Sequence, residues 1–183
     1  ATGAINISGG AFSNNSGSSG ISIFGLGNVT LTNVTANYNG KHGIQVDTSG
    51  SAVARTFSAT GSTFQGNTWN GLQVDVLGQI TVTNSKAFYN GVRGFDLDND
   101  GPNGIGGITV TATGSNYTVV YGNTSDGIQA YSNRNILINR VDSRSNSSAN
   151  GLFLVNSDST YGTGNVTVTN SILKTNQTGI NIS

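Results

Sequence analysis

The sequence predicts an all-β solenoid: a parallel β-helix of about seven turns, each made of three short strands. Three observations carry that expectation. A Gly–apolar pair recurs along the chain, at Gly20-Ile21, Gly43-Ile44, Gly71-Leu72, Gly94-Phe95, Gly127-Ile128, Gly151-Leu152 and Gly179-Ile180. An Asn precedes each pair by three to five residues: Asn15, Asn39, Asn67, Asn90, Asn123, Asn146 and Asn176. An alternating run opens each unit, starting at Ile5, Val29, Phe57, Ile80, Val110, Ile136 and Val166. Short period-two runs split by Asn and Gly are strands and tight turns. A repeat of this length marks a solenoid, because one unit buries its apolar face only against the copies above and below it.

The unit from Gly27 to Val46 shows the parts in order. Val29-Thr30-Leu31-Thr32 alternates apolar and hydroxyl side chains, Asn33 breaks the run, a second segment ends at Tyr38-Asn39, and a polar turn leads to Ile44-Gln45-Val46. Helical repeats are excluded by the Gly, Asn and β-branched content and by the lack of a 3.6-residue period. Leucine-rich repeats are excluded because their Leu spacing is absent. Three inward columns follow from the alignment. One is Ile5, Val29, Phe57, Ile80, Val110, Ile136 and Val166; another is Ile21, Ile44, Leu72, Phe95, Ile128, Leu152 and Ile180. The third mixes large and small residues: Phe12, Ala36, Phe64, Ala87, Val120, Ser143 and Leu173. The recurrent Asn suits a turn with a left-handed backbone and a side-chain amide stacked on its copies.

The pattern V-T-V-T-N-S-x-x-x-x-N…G-I-x-V resembles the right-handed parallel β-helix repeat of the pectin-lyase-like superfamily, over essentially the whole chain. The resemblance implies a right-handed coil and a single domain over residues 1–183. It does not imply one activity, since that fold carries lyases, hydrolases, epimerases, tailspikes and non-catalytic surface proteins. Polysaccharide-cleaving members use carboxylate clusters, but the polygalacturonase-type signatures N-T-D, D-D, H-G and R-I-K are not assembled in this chain. His42-Gly43 mimics the H-G pair. Its equivalents are Ser19, Asn70, Arg93, Asp126, Asn150 and Thr178, the variety expected of an unconstrained exposed turn.

Composition narrows the function further. The formal net charge is zero and 9% of residues are charged, which gives no support to nucleic-acid binding. Cys is absent, so no disulfide or thiol chemistry is available. No apolar run reaches membrane-spanning length, so no membrane insertion is expected. Abundant Ser, Thr, Asn and Gly, with Asn-x-Ser/Thr sequons at Asn28, Asn33, Asn116, Asn146 and Asn165, suit an extracellular or cell-surface protein. The chain starts at Ala1 without Met, which reads as a processed product or an excised segment.

Candidate sites lie where the frame is interrupted and where columns carry chemistry. Insertions are expected at Asp47–Thr56, Asp98–Thr109 and Val155–Asn165 along one edge, and at Asn116–Val119 on another. Asp96, Asp98 and Asp100, followed by Gly101, match the start of a calcium loop. Alternating carboxylates there are expected to converge on one cation, although Gly107 at the twelfth position rules out an EF-hand. Asp47, Asp75 and Asp98 each follow a third run and are expected to stack, raising one another's pKa. Two outward hydroxyl columns are expected on the first face: Thr30, Ser58, Thr81, Thr111, Thr167, and Thr32, Thr60, Thr83, Thr113, Thr169. Such a Thr ladder is similar to the ice-binding face of insect antifreeze proteins.

No capping unit is recognisable at either end. Five residues, Ser183 and Ala1 to Ala4, would join Ile182 of one copy to Ile5 of the next, as in internal junctions such as Phe24–Asn28. Ile5, Ile7, Ile180 and Ile182 are therefore expected to stack head-to-tail on further copies. The expectation from sequence is an uncapped, non-enzymatic structural section of an extracellular filament or adhesin. The main rival is a glycan-binding or glycan-degrading β-helix that uses the Asp-rich edge. An ice-binding module stands third.

Overall fold

Alternating runs of three to six residues form short strands that turn sharply and stack, and most strands of the first and second sheets are followed by a left-handed residue, such as Asn33 or Tyr38. The computed structural model describes residues 3–25, 27–101, 104–156 and 164–183. The strands assemble into three parallel sheets, two of seven strands and one of six. The first sheet stacks Ile5–Ser8, Val29–Thr32, Phe57–Thr60, Ile80–Thr83, Ile108–Thr111, Ile136–Asn139 and Val166–Thr169. The second stacks Thr35–Asn37, Thr63–Gln65, Lys86–Phe88, Thr118–Tyr121, Val141–Arg144 and Ile172–Lys174, and Ala11 bridges to Thr35 from the first rung. The third stacks Ile21–Phe24, Ile44–Asp47, Leu72–Asp75, Phe95–Asp98, Ile128–Tyr131, Asn150–Val155 and Thr178–Ile182. Every named pair is parallel, so each rung takes its ladder hydrogen bonds from the rungs above and below.

Inward residues form one continuous core along the axis. Phe57, Phe64 and Phe95 are its largest fully buried side chains, and Phe64 meets Phe95 edge-on at 6.2 Å. Ala36 and Ala87 lie directly below and above Phe64 in the second sheet, and Ala59 shares its rung. Small neighbours make room for the bulky ring, so packing is complementary along the axis as well as around each rung.

The second and third inward columns lie as the repeat predicts. The first departs at the fifth rung. There Ile108, not Val110, pairs with Ile80 and Ile136, and Val110 pairs with Val82 and Ile138. A slip of two residues leaves the same side chains facing inward, so alternation alone cannot distinguish the two registers. Burial decides: Ile108 and Val110 are both fully enclosed, which removes more apolar surface than Val110 with Ala112 would. The loop before this strand is correspondingly shorter than expected, and the loop after it spans 112–117.

The turn between the second and third sheets repeats most strictly. The backbone N–H and side-chain Nδ2 of Asn39 both donate to Asn67 Oδ1, at 3.0 and 2.9 Å. The same pair of hydrogen bonds runs from Asn15 to Asn39, Asn67 to Asn90, Asn90 to Asn123, Asn123 to Asn146 and Asn146 to Asn176. The spare Nδ2 proton reaches a second-sheet carbonyl, as from Asn67 to Ala36 at 3.0 Å and from Asn90 to Phe64 at 3.2 Å. Contrary to the expectation from sequence, the ladder Asn is not itself left-handed; the residue before it is, at Asn14, Tyr38, Gly66, Tyr89, Gly122, Ser145 and Thr175. The downstream Gly is required by the ladder: a Cβ on Gly43 would stand 2.4 Å from the Gly71 carbonyl oxygen and 2.8 Å from Asn67 Nδ2. Asn146, although part of a sequon, is a buried member of this ladder and not a surface acceptor.

Replacing the central Asn90 by Ala removes the acceptor for two Asn67 donors. Each buried donor left unpaired costs about 1–3 kcal/mol, so the urea midpoint is expected to fall clearly. Asn15→Ala, at the first described rung, removes only a donor group and is expected to cost less than about 1 kcal/mol. Equal losses in the two variants would show that the ladder does not carry this load.

Candidate functional site

Period-two alternation sends every second residue of a strand outward, and in-register stacking turns those residues into columns. On the third sheet one outward column reads Ser22, Gln45, Gln73, Asp96, Gln129, Phe153 and Asn181. The other reads Phe24, Asp47, Asp75, Asp98, Tyr131 and Val155. The stack of Asp47, Asp75 and Asp98 expected from sequence is therefore present, with strands about 4.8 Å apart. Aromatic side chains flank it: Phe24 at one end, 65% exposed, and Tyr131 against Phe153 at the other, with ring centres 6.0 Å apart.

The carboxylates differ in their surroundings. Asp47 Oδ1 accepts from the Ser49 N–H and hydroxyl, at 3.1 and 2.7 Å. Partial burial, then the charges of Asp47 and Asp100, push the Asp75 carboxyl above its ordinary value. Burial pushes Asp98 up to about 7, against the Asp100 N–H that donates to its Oδ1 at 3.0 Å, with the Asp100 carboxylate adding to the rise. Burial also raises Asp96, opposed by Arg93 and Asn70. Near neutral pH this strip therefore carries less negative charge than its composition implies.

Beside the strip lies a recess of about 420 Å³ whose walls include His42, Trp69, Asn70, Gln73, Arg93 and Asp96. Asn70 Nδ2 donates to Asp96 Oδ2 at 2.9 Å, and Arg93 joins the same oxygen at 3.3 Å. Arg93 also reaches across to Asp126 at 3.6 Å, so its charge is matched on both sides. Trp69 is 44% exposed, with His42 edge-on at 5.0 Å and the Lys41 ammonium 5.4 Å from the ring centre. Burial, helped by Lys41, pushes His42 down to about 4, so the imidazole is neutral at physiological pH.

The row holding His42 was expected to be an unconstrained exposed turn, and the structure corrects this. Ser19, His42, Asn70 and Asp126 are buried, and Asp126 Oδ1 accepts from both the backbone and side-chain amides of Asn150 at 3.0 and 2.8 Å. The buried members find different polar partners, as Asn70 does in Asp96 and Asp126 in Asn150, whereas Arg93 and Asn150 are half-buried and Thr178 is exposed. Nothing in the repeat itself announces that position as buried.

The other candidates fall as follows. Asp96 turns to Asn70 and Arg93, while Asp98 is tied to the Asp100 backbone. The three carboxylates expected to share calcium are thus divided, and among the described residues no group of three His or Asp side chains is placed to hold a metal ion. The Thr face lies outward on the first sheet, with Thr30, Thr81 and Thr167 in one column and Thr32, Thr83 and Thr169 in the other. The two-residue shift at rung five corrects its middle: Thr109 stands beside Thr81, Thr111 beside Thr83, and Thr113 lies beyond the strand, its N–H donating to Asn84 Oδ1. Leu137 and Asn139 interrupt both columns. At the end rungs Ile5 and Ile7 are half-buried and Ile180 and Ile182 are exposed, whereas Leu152 and Leu154, one rung in, are fully enclosed. Most of the expected Val155–Asn165 insertion lies outside the described residues.

Two larger recesses, of about 540 and 570 Å³, open beside the first and second sheets. Neither is crossed by a carboxylate column, and Asp142 in the second is engaged by Arg144.

The family model described as the right-handed beta helix region matches residues 2–124. No curated protein and no solved structure matches the chain.

Asp98 leaves a pH signature. From its ordinary value of 3.8 up to about 7, the folded chain keeps a proton that the unfolded chain releases, so this group lowers stability as pH rises through that window. His42 acts oppositely, costing stability as pH falls from 6.5 toward about 4. Asp98→Asn isolates the first effect. Its melting temperature, taken relative to wild type, is expected to climb between about pH 4 and pH 7; a constant offset would mean that Asp98 titrates normally.

Proposed function

The chain belongs to the right-handed β-helix family, and on that frame we propose that it is a rigid section of an extracellular or cell-surface solenoid that binds neutral polysaccharide along its third sheet. The recess beside Trp69 carries this reading. Sugars offer apolar C–H faces ringed by hydroxyls, and they are held by an aromatic surface set among amides and carboxylates that accept and donate around it. Trp69 supplies the surface, Asn70, Gln45 and Gln73 the amides, and Asp96 the acceptor. Phe24 at one end and Tyr131 with Phe153 at the other extend the same chemistry along the strip.

Charge favours a neutral ligand. Arg93 is already matched by Asp96 and Asp126, and the adjoining column carries Asp47, Asp75 and Asp98. An acidic polysaccharide would meet these carboxylates with Lys41, beside Trp69, as the one cation at the recess outside an ion pair among the described residues. The same matching argues for binding without cleavage of acidic polymers. In this reading the solenoid is a spacer as well as a binding face. A further rung laid on either end, from the same polypeptide or a second copy, would pair with the end strands and cover Ile5, Ile7, Ile180 and Ile182.

Titration calorimetry with neutral and with acidic oligosaccharides separates the possibilities. The neutral series is expected to bind, and Trp69→Ala is expected to weaken that binding about tenfold or more. Tighter binding of the acidic series would sink the reading. So would turnover of an acidic polysaccharide that Asp75→Asn or Asp98→Asn abolishes.

A further inference from the structure

The column immediately before the Asn ladder holds Tyr38, Gly66, Tyr89 and Gly122 on four consecutive rungs, as the backbone bonds from Tyr38 to Gln65, Gly66 to Phe88, Tyr89 to Tyr121 and Gly122 to Arg144 show. All four are left-handed, with φ of 55°, 62°, 52° and 66°. Gly adopts this conformation freely, but a bulky aromatic residue does so only against steric resistance. Two Tyr therefore occupy a position that disfavours them, and core packing does not explain it, because Tyr38 is 55% and Tyr89 57% exposed. Strain of this kind at an exposed position points to a use for the side chain.

The intervening glycines complete the arrangement. A Cβ on Gly66 would lie 2.6 Å from the Tyr38 ring, and one on Gly122 would lie 2.7 Å from the Tyr89 ring. Each Tyr thus rests against the bare backbone of the next rung, in a place that a side chain would fill. Gln65 Nε2 donates to the Tyr38 hydroxyl at 3.0 Å, and Tyr121 packs edge-on against Tyr89 at 5.1 Å. The rings are therefore held in place. They recur every second rung, about 9.6 Å apart, and the neighbouring outward column is uncharged through Asn37, Gln65, Phe88 and Tyr121.

We propose that Tyr38 and Tyr89 form a second binding track for an extended, neutral β-1,4-linked polysaccharide of the glucan or chitin type. In such a chain successive sugars alternate in orientation, and the same face returns once per disaccharide, a repeat close to two rungs of the solenoid. Two aromatic rings at that interval engage equivalent faces of one polymer without a gap or an offset. The track lies across the ladder from the Trp69 recess and stands independently of it.

The test is depletion of the full chain onto crystalline β-1,4-glucan and chitin, with a helical α-1,4-glucan as the comparison polymer. Wild type is expected to bind the extended polymers more tightly than the helical one, which the Trp69 recess alone would hold. The double variant Tyr38→Asn with Tyr89→Asn, which keeps a residue tolerant of the left-handed backbone, is expected to lose about tenfold in affinity while oligosaccharide binding at the recess is unchanged. Tyr38→Phe with Tyr89→Phe keeps the rings and is expected to retain the affinity, which assigns the loss to the rings, while unchanged recess binding by the Asn variant excludes misfolding as its cause. Equal binding to extended and helical polymers, undiminished binding by the Asn variant, or loss of binding by the Phe variant would each overturn the proposal.

Discussion

Each rung must close on itself in register with its neighbours, and the asparagine ladder at the second corner enforces this. A backbone amide and a side-chain amide of one rung both end on a single carboxamide oxygen of the next. That geometry leaves little freedom in rise or lateral position. Around it the Gly that follows must lack a side chain, and the residue that precedes must turn left-handed. The corner between the first and second sheets is also left-handed, at Asn33, Gly61, Asn84, Gly114, Arg140 and Asn170, and takes the insertion at 112–117; the insertions at 48–56 and 99–107 fall at the corner between the third and first sheets.

Strict stacking also gives outward residues their properties. Like placed on like, amides bond one another down the ladder, whereas on the third sheet burial, with neighbouring carboxylates adding to it, makes Asp75 and Asp98 harder to ionise. The same register that stabilises Asn39 on Asn67 places Asp47 on Asp75 and Asp75 on Asp98. The fold tolerates the carboxylate stack because it faces outward and because Ser49 and the Asp100 N–H take up individual oxygens. Aromatic residues behave differently again: with Gly on alternate rungs, Tyr38 and Tyr89 stand clear of each other instead of stacking in contact.

Much of this was legible in the residues. The Gly–apolar pairs located the third sheet without error, and the Asp stack followed from it. The first sheet misled at rung five, since Ile108, Val110 and Ala112 all satisfy a period of two and Ala59–Ser62 resembles Ala112–Ser115. The His42 row misled for another reason: its members share no side-chain chemistry, although Ser19, His42, Asn70 and Asp126 are all buried. Tyr38 and Tyr89 gave one faint signal, their alternation with Gly66 and Gly122, which gains meaning only once the left-handed backbone is known.

The sequence by itself determined the architecture. Alternation, Asn and Gly recur at intervals that only stacked three-strand rungs can satisfy, because each unit lacks the apolar surface to form a core alone. It also determined which residues face inward on two of the three sheets. The tertiary structure decided where a register degenerate by two residues would settle, because only the depth of the core distinguishes Ile108 from Ala112. It decided as well which polar side chains meet across rungs. Trp69, Asn70, Arg93 and Asp96 converge through strand stacking and turn geometry between units of unequal length, and no spacing along one strand encodes that convergence.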